Sequence, residues 1–202
     1  MRLYKLSYII ERGRIMARKT TISKEVILSN ALEMLIEEGY SSVNIKTLSQ
    51  KIGCSTQPLV WHFGNMKGLR RELSEYARKV AVGKVTRVSG TGIEGFLELG
   101  VNYIKLAIEE KNLFSYIFMN GCGDYVADGL SEFSQSGDNA LITRSVSDAL
   151  GITQEQAARN IEDLSVYANG LATYIATGVL SITADEARER LFNVGRSLFG
   201  IK

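Results

Sequence analysis

Proline is nearly missing from this 202-residue chain; there is one, Pro58. A sequence almost free of the strongest helix breaker, with runs of Ala, Leu, Ile, Glu and Lys, favours helix throughout. Cysteine is as scarce: Cys54 and Cys122 cannot supply a disulfide framework, and nothing points to secretion. Histidine occurs once, at His62, so Cys and His together offer three side chains where a structural zinc site normally takes four. No metal and no cofactor are therefore expected. Strand-like alternation, internal repeats and low-complexity tracts are also missing. No run of about 18 apolar residues occurs, so no membrane span is expected. The apolar stretch Leu6 to Ile10 after Met1-Arg2-Leu3-Tyr4-Lys5 is too short for a secretory leader, and a cytoplasmic protein is the reading.

What is present is an uneven distribution of charge. The net value of +2 hides 16 Lys and Arg against 7 Asp and Glu in residues 1–90, and 8 against 15 in residues 91–202. A basic first part joined to an acidic second part implies that only the first meets a polyanion. Two solvated surfaces of opposite sign would look the same. Met16 opens a polar, basic stretch leading into the first helical pattern. Residues 1–15 are thus either an over-extended start or a flexible arm.

Helix punctuation is clear along the chain. Ser23 can cap a helix to about Glu38, stopped by Gly39, with Val26, Ile27, Ala31, Leu32, Leu35 and Ile36 as its apolar stripe. Asn44 can cap a short helix through Ile52, ended by Gly53. Ser55 is the expected cap of the next helix, reaching about Phe63, with Pro58 at its third position, where a missing amide matters little. After Gly64-Asn65 a longer helix runs from about Met66 to Lys84. Ser89-Gly90-Thr91-Gly92 reads as the boundary between the two parts. Helical patterns follow at 93–109, 112–119, 139–149, 153–180 and 184–199.

Two short helices joined by Gly53-Cys54-Ser55 fit a helix-turn-helix, with Gly53 for the tight turn and small Ser49 for close crossing. The segment Ile45-Lys46-Thr47-Leu48-Ser49-Gln50-Lys51-Ile52-Gly53-Cys54-Ser55, followed by Leu59-Val60-Trp61-His62-Phe63 and Leu69, resembles the signature of the TetR family of transcriptional regulators. The resemblance extends over about 45 residues, Ile27 through Leu73, and includes Gly39-Tyr40. It implies an all-α fold: a three-helix DNA-binding domain over residues 16–66, then a helical bundle over 67–202 for ligand binding and dimerisation. The expected DNA-contacting set is Asn44, Lys46, Ser55, Thr56, Gln57, Val60, Trp61, His62 and Lys67. Gln57, near the start of a helix lying in the major groove, can pair bidentately with adenine. Asn44 and Lys46 fit phosphate contacts. The sequence departs from the family at two places. The usual lysine aligns with Met66, with Lys67 one residue later, and the usual phosphate-binding tyrosine aligns with Val60. Trp61 either replaces that tyrosine through its indole N–H or packs on the first helix.

Beyond residue 93, aromatic side chains at helical spacing fit either a filled core or a ligand pocket. The resemblance implies a pocket, with Tyr103, Phe114, Phe118, Tyr125 and Tyr167 as the expected lining for a small-molecule effector. It also implies a homodimer, paired through Gly170, Tyr174, Gly178, Leu191, Val194 and Leu198, binding a near-palindromic double-stranded DNA operator and released from it by the effector. A regulator without an effector, controlled by a protein partner or by abundance, is the alternative. An enzyme is not expected. His62 and Cys54 lack a third orienting group and an oxyanion donor, so they form no catalytic pair.

Overall fold

The computed structural model describes residues 22–119 and 138–200, and all regular structure among them is helical. Helix α1 spans Lys24–Glu38. The Ser23 hydroxyl accepts the Val26 N–H at 3.3 Å, and Gly39, at φ +86°, stops the helix where an L side chain would be strained. Ile27, Ala31 and Leu35 form its fully buried stripe. A 3-10 turn at Tyr40–Ser42, which the pattern of residues did not announce, leads into α2, Ile45–Ile52. Asn44 and Thr47 close that start as a reciprocal cap, and Gly53 ends the helix in the left-handed conformation.

Helix α3, Gln57–Phe63, starts later than expected. Thr56, rather than Ser55, stands at its cap position, and it makes no side-chain capping bond. Pro58 is therefore the second helical residue and not the third. Leu59 and Phe63 face inward. Helix α4, Met66–Val85, follows at once, with the Asn65 side chain accepting the Gly68 N–H at 3.1 Å. A Cβ on Gly68 would lie 1.9 Å from the Phe63 carbonyl oxygen, so the α3–α4 corner closes only around glycine.

The second part comprises α5 (Gly92–Glu109), α6 (Lys111–Phe118), α7 (Asp138–Leu150), α8 (Gln154–Ala176) and α9 (Ala184–Phe199). Helix α5 is central and packs against α4, α6, α7, α8 and α9. Two glycines permit its close approach to α9. A Cβ on Gly100 would sit 2.8 Å from Leu191 Cδ2, and one on Gly195 would sit 2.9 Å from Leu97 Cδ2. Leu191, expected at a dimer interface, is therefore a core residue of its own protomer and has no exposed surface. Periodicity marked the apolar face of α9 without showing that α5 already covers it. Helix α8 stops at Ala176, short of the expected residue 180. The Thr177 hydroxyl bonds back to the Thr173 carbonyl, and Gly178 turns the chain at φ +78°.

The segment expected to separate the two parts is held firmly. Glu98 accepts the backbone N–H groups of Gly90 (3.1 Å) and Ser89 (2.9 Å). Those bonds hold its carboxyl below the usual carboxylate range. Asn102 donates to the Val85 and Arg87 carbonyls, and Lys84 pairs with Glu110. The end of α4 thus rests along α5. No described helix is long and apolar enough to cross a membrane.

Candidate nucleic-acid interface

The rotation of α3 is set from behind. Leu59 and Phe63 sink into the core with Ile27, Leu48 and Leu69, and His62 Nε2 lies 2.8 Å from the Ile22 carbonyl. That bond requires a proton on Nε2. His62, expected among the contacting residues, is half-buried and engaged as a tie between α3 and the chain leading into α1. With this face fixed, Thr56, Gln57, Val60 and Trp61 point outward. Trp61 is 72% exposed, which overturns the alternative that it packs on α1. Its ring instead meets the edge of His62, 4.6 Å between centroids. Ser55, also expected here, is exposed at the turn before α3.

Helix α2 backs this surface. Its capping residue Asn44 uses its side-chain oxygen to accept the Lys46 and Thr47 amides at 3.1 and 3.0 Å. That oxygen shapes the helix start, and the side-chain NH2 donates to the Ser42 carbonyl at 3.5 Å. Lys46 and Lys67 are exposed and carry no ion pair among the described residues. Lys51, by contrast, is held by Glu33 at 2.9 Å and Glu37 at 3.5 Å, tying α2 to α1. Arg70 lies over the Tyr40 ring at 5.6 Å. The basic charge of the first part is thus divided between lysines that staple the head and lysines left facing out. Cys54 is half-buried against the core, in keeping with a small apolar filler. Among the described residues no group of three or more Cys, His, Asp or Glu could hold a metal ion.

Several contacts connect this head to the bundle, and sequence reasoning missed them. Asn112 at the start of α6 donates to the Ile36 carbonyl of α1 at 3.0 Å. Tyr116 stacks on Tyr40 at 4.7 Å, and its hydroxyl shares a buried 2.7 Å hydrogen bond with Ser74 of α4. Tyr116 thus faces the head. The opposite side of α6 meets α5. Tyr103, Phe114 and Phe118 form a trio with centroids 5.1–5.2 Å apart. Tyr103 and Phe114 are wholly buried, and the Tyr103 hydroxyl donates to Asn169 at 2.8 Å. Burial pushes that phenol well above its ordinary pKa, so it remains a donor. These three expected lining residues fill their space with one another. Tyr167 is half-buried on α8, and Tyr125 lies outside the described residues. A narrow apolar crevice opens elsewhere, between Phe96, Leu99, Leu164, Ser165 and Ala168.

The outer side of α8 carries Val166, Gly170 and Tyr174 at four-residue spacing, all exposed, with Val179 beyond the helix end. Gly170 and Tyr174 were expected at a dimer interface and are free to form one. Gly178 is exposed nearby, while Val194 and Leu198 are half-buried against the protomer core.

Residues 27–73 match the family model for bacterial regulatory proteins, tetR family. No curated protein matches the chain in sequence. Among solved structures the fold is similar to a TetR-like transcriptional regulator from Rhodococcus sp. RHA1, with TM-score 0.53 and 14% identity over 86% of this chain and 94% of that one. It is similar also to a TetR-family regulator from Rhodococcus sp., with TM-score 0.54 and 15% identity over 87% and 97% of the two chains. A third likeness is to a TetR variant from Acinetobacter baumannii AYE in complex with minocycline, with TM-score 0.51 and 17% identity over 89% and 95%.

Proposed function

We propose that this chain is a TetR-family DNA-binding transcriptional regulator and that it acts as a homodimeric repressor on a near-palindromic operator, released by a small molecule bound in the helical bundle. Residues 16–66 form the reading head in this account, and 67–202 the sensing and pairing part. The observation that carries it is the outward face of α3. Gln57, Val60 and Trp61 stand exposed on a helix whose other face is locked by Leu59, Phe63 and His62. Such a helix fits the major groove, with Gln57 opposite an adenine edge and Lys46 and Lys67 at the flanking phosphates. Gln57→Ala is expected to weaken binding to the preferred operator by about 1–3 kcal/mol while sparing other sequences. Competition binding against operator variants reads this, and an equal loss on every duplex would mark Gln57 as a phosphate contact.

Two heads read one DNA face when about 34–36 Å apart, so pairing is part of the mechanism. The exposed stripe Val166, Gly170, Tyr174 supports pairing through α8, because a two-fold axis brings the same patch against itself. Tyr174→Arg would set like charges across that axis. The expected result is a dimer dissociation constant at least about tenfold higher, read by sedimentation equilibrium, with helical content retained. A dimer of unchanged strength would place the interface elsewhere.

Coupling would run through α6, which touches the aromatic trio on one side and Ile36, Tyr40 and Ser74 on the other. A ligand that favours one seating of α6 would favour one setting of the head. The fold shared with a minocycline-bound TetR variant supports an effector. The closed packing of Tyr103, Phe114 and Phe118 favours the second reading, control by a protein partner or by abundance. Operator affinity measured with and without minocycline and a panel of planar aromatic compounds separates the two. Release by any of them supports an effector, and indifference to all supports the second reading.

A further inference from the structure

We propose that Val60 reads the 5-methyl group of a thymine, so that the operator is defined partly by a methyl contact and not by hydrogen bonds alone. This rests on the DNA-reading function above and names what one side chain of the head recognises. Val60 is 45% exposed on a helix that buries Leu59 and Phe63 on its other face. Its exposure is no accident of a loose element, since the His62 tie to Ile22 and the buried pair behind it fix which face of α3 is outward. Gln57 precedes Val60 by three residues, so the two are neighbours on that face.

When α3 enters the groove, Val60 is covered by whatever lies beneath it. Its isopropyl group has no hydrogen bond to offer. Over a base edge of donors and acceptors it would displace water without replacing the lost bonds, which costs free energy. The projecting apolar group of the major groove is the thymine methyl, and contact with it buries two apolar surfaces together. The branched side chain is confined to essentially one rotamer in a helix, so it cannot swing aside to avoid a wrong base. The Trp61 ring, by contrast, meets His62, with 4.6 Å between centroids. Gln57 and Val60 together thus demand A·T pairs in adjoining or shared positions, one by hydrogen bonds and the other by methyl contact.

The test uses the full chain and a duplex enriched by the protein itself from a random 20-base-pair pool. Each thymine of a half-site is replaced in turn by uracil, which keeps every hydrogen-bonding atom and removes only the methyl. One position in each half-site is expected to lose about fourfold in affinity by fluorescence anisotropy. With Val60→Ala, the thymine and uracil duplexes are expected to bind within about twofold of each other at that position. Indifference of the wild-type chain to every uracil would overturn the proposal, and so would a methyl effect that persists undiminished in Val60→Ala. If no sequence is enriched and no duplex binds, the DNA-reading function itself fails, which is a separate and recognisable result.

Discussion

Phe114→Ala is expected to lower the stability of the chain by about 3–5 kcal/mol, the range for truncating a large side chain in a packed core. Phe114 is fully buried, and its ring lies 5.1 Å from that of Tyr103 and 5.2 Å from that of Phe118. Removing it takes away transfer free energy and both ring contacts and leaves a void between α5 and α6. Chemical denaturation followed by far-UV circular dichroism reads the loss. A cost below about 1 kcal/mol would show that Phe114 borders open space, as an effector-lining residue would, and not a filled core. The same substitution therefore decides between two uses of one aromatic cluster.

Gly68→Ala is expected to cost about 3 kcal/mol and to abolish DNA binding while the bundle stays folded. In an ordinary helix the exchange of glycine for alanine stabilises by up to about 1 kcal/mol. Here the added Cβ would meet the Phe63 carbonyl oxygen at 1.9 Å, far inside any permitted contact. Either α4 loses its first turn, together with the Asn65 cap, or α3 swings off the core. Both outcomes misplace Gln57, Val60 and Trp61. Hydrogen exchange would show the loss concentrated in α3 and the start of α4, with α8 and α9 unaffected. A variant that binds operator normally would mean that the corner has slack that these distances deny.

What could be read in the amino-acid sequence was local. Ser23 with Gly39, Asn44 with Gly53, and Gly64-Asn65 each pair a side-chain cap or a left-handed glycine with a helix end, and the boundaries follow. The start of α3 slipped by one residue because Ser55 and Thr56 both suit a cap and Thr56, at the cap position, makes no capping bond. Leu191 and Phe114 show a deeper limit. A helical stripe tells which face is covered, but the covering partner can be the same chain, a second copy or a ligand. Only the three-dimensional packing assigned Leu191 to Gly100 and Phe114 to Tyr103. The ties that hold head to bundle were illegible for another reason. Asn112 to Ile36 and Tyr116 to Ser74 span 76 and 42 residues, and neither pair carries a local spacing rule. Gly68 did leave a trace, as a glycine inside a helical pattern with no turn to justify it.

The most direct measurement of the central claim is the salt dependence of binding to duplex DNA from the region upstream of the gene. Lys46 and Lys67 on two heads give about four phosphate contacts, so the logarithm of affinity should fall against the logarithm of salt with a slope of about −4. Between 50 and 200 mM salt that is roughly a hundredfold loss. A dimer binding with such a slope, and more tightly to this duplex than to one of scrambled sequence, is the predicted result. A slope near zero, or no preference between the two duplexes, would contradict the account of α3 as a DNA-reading helix.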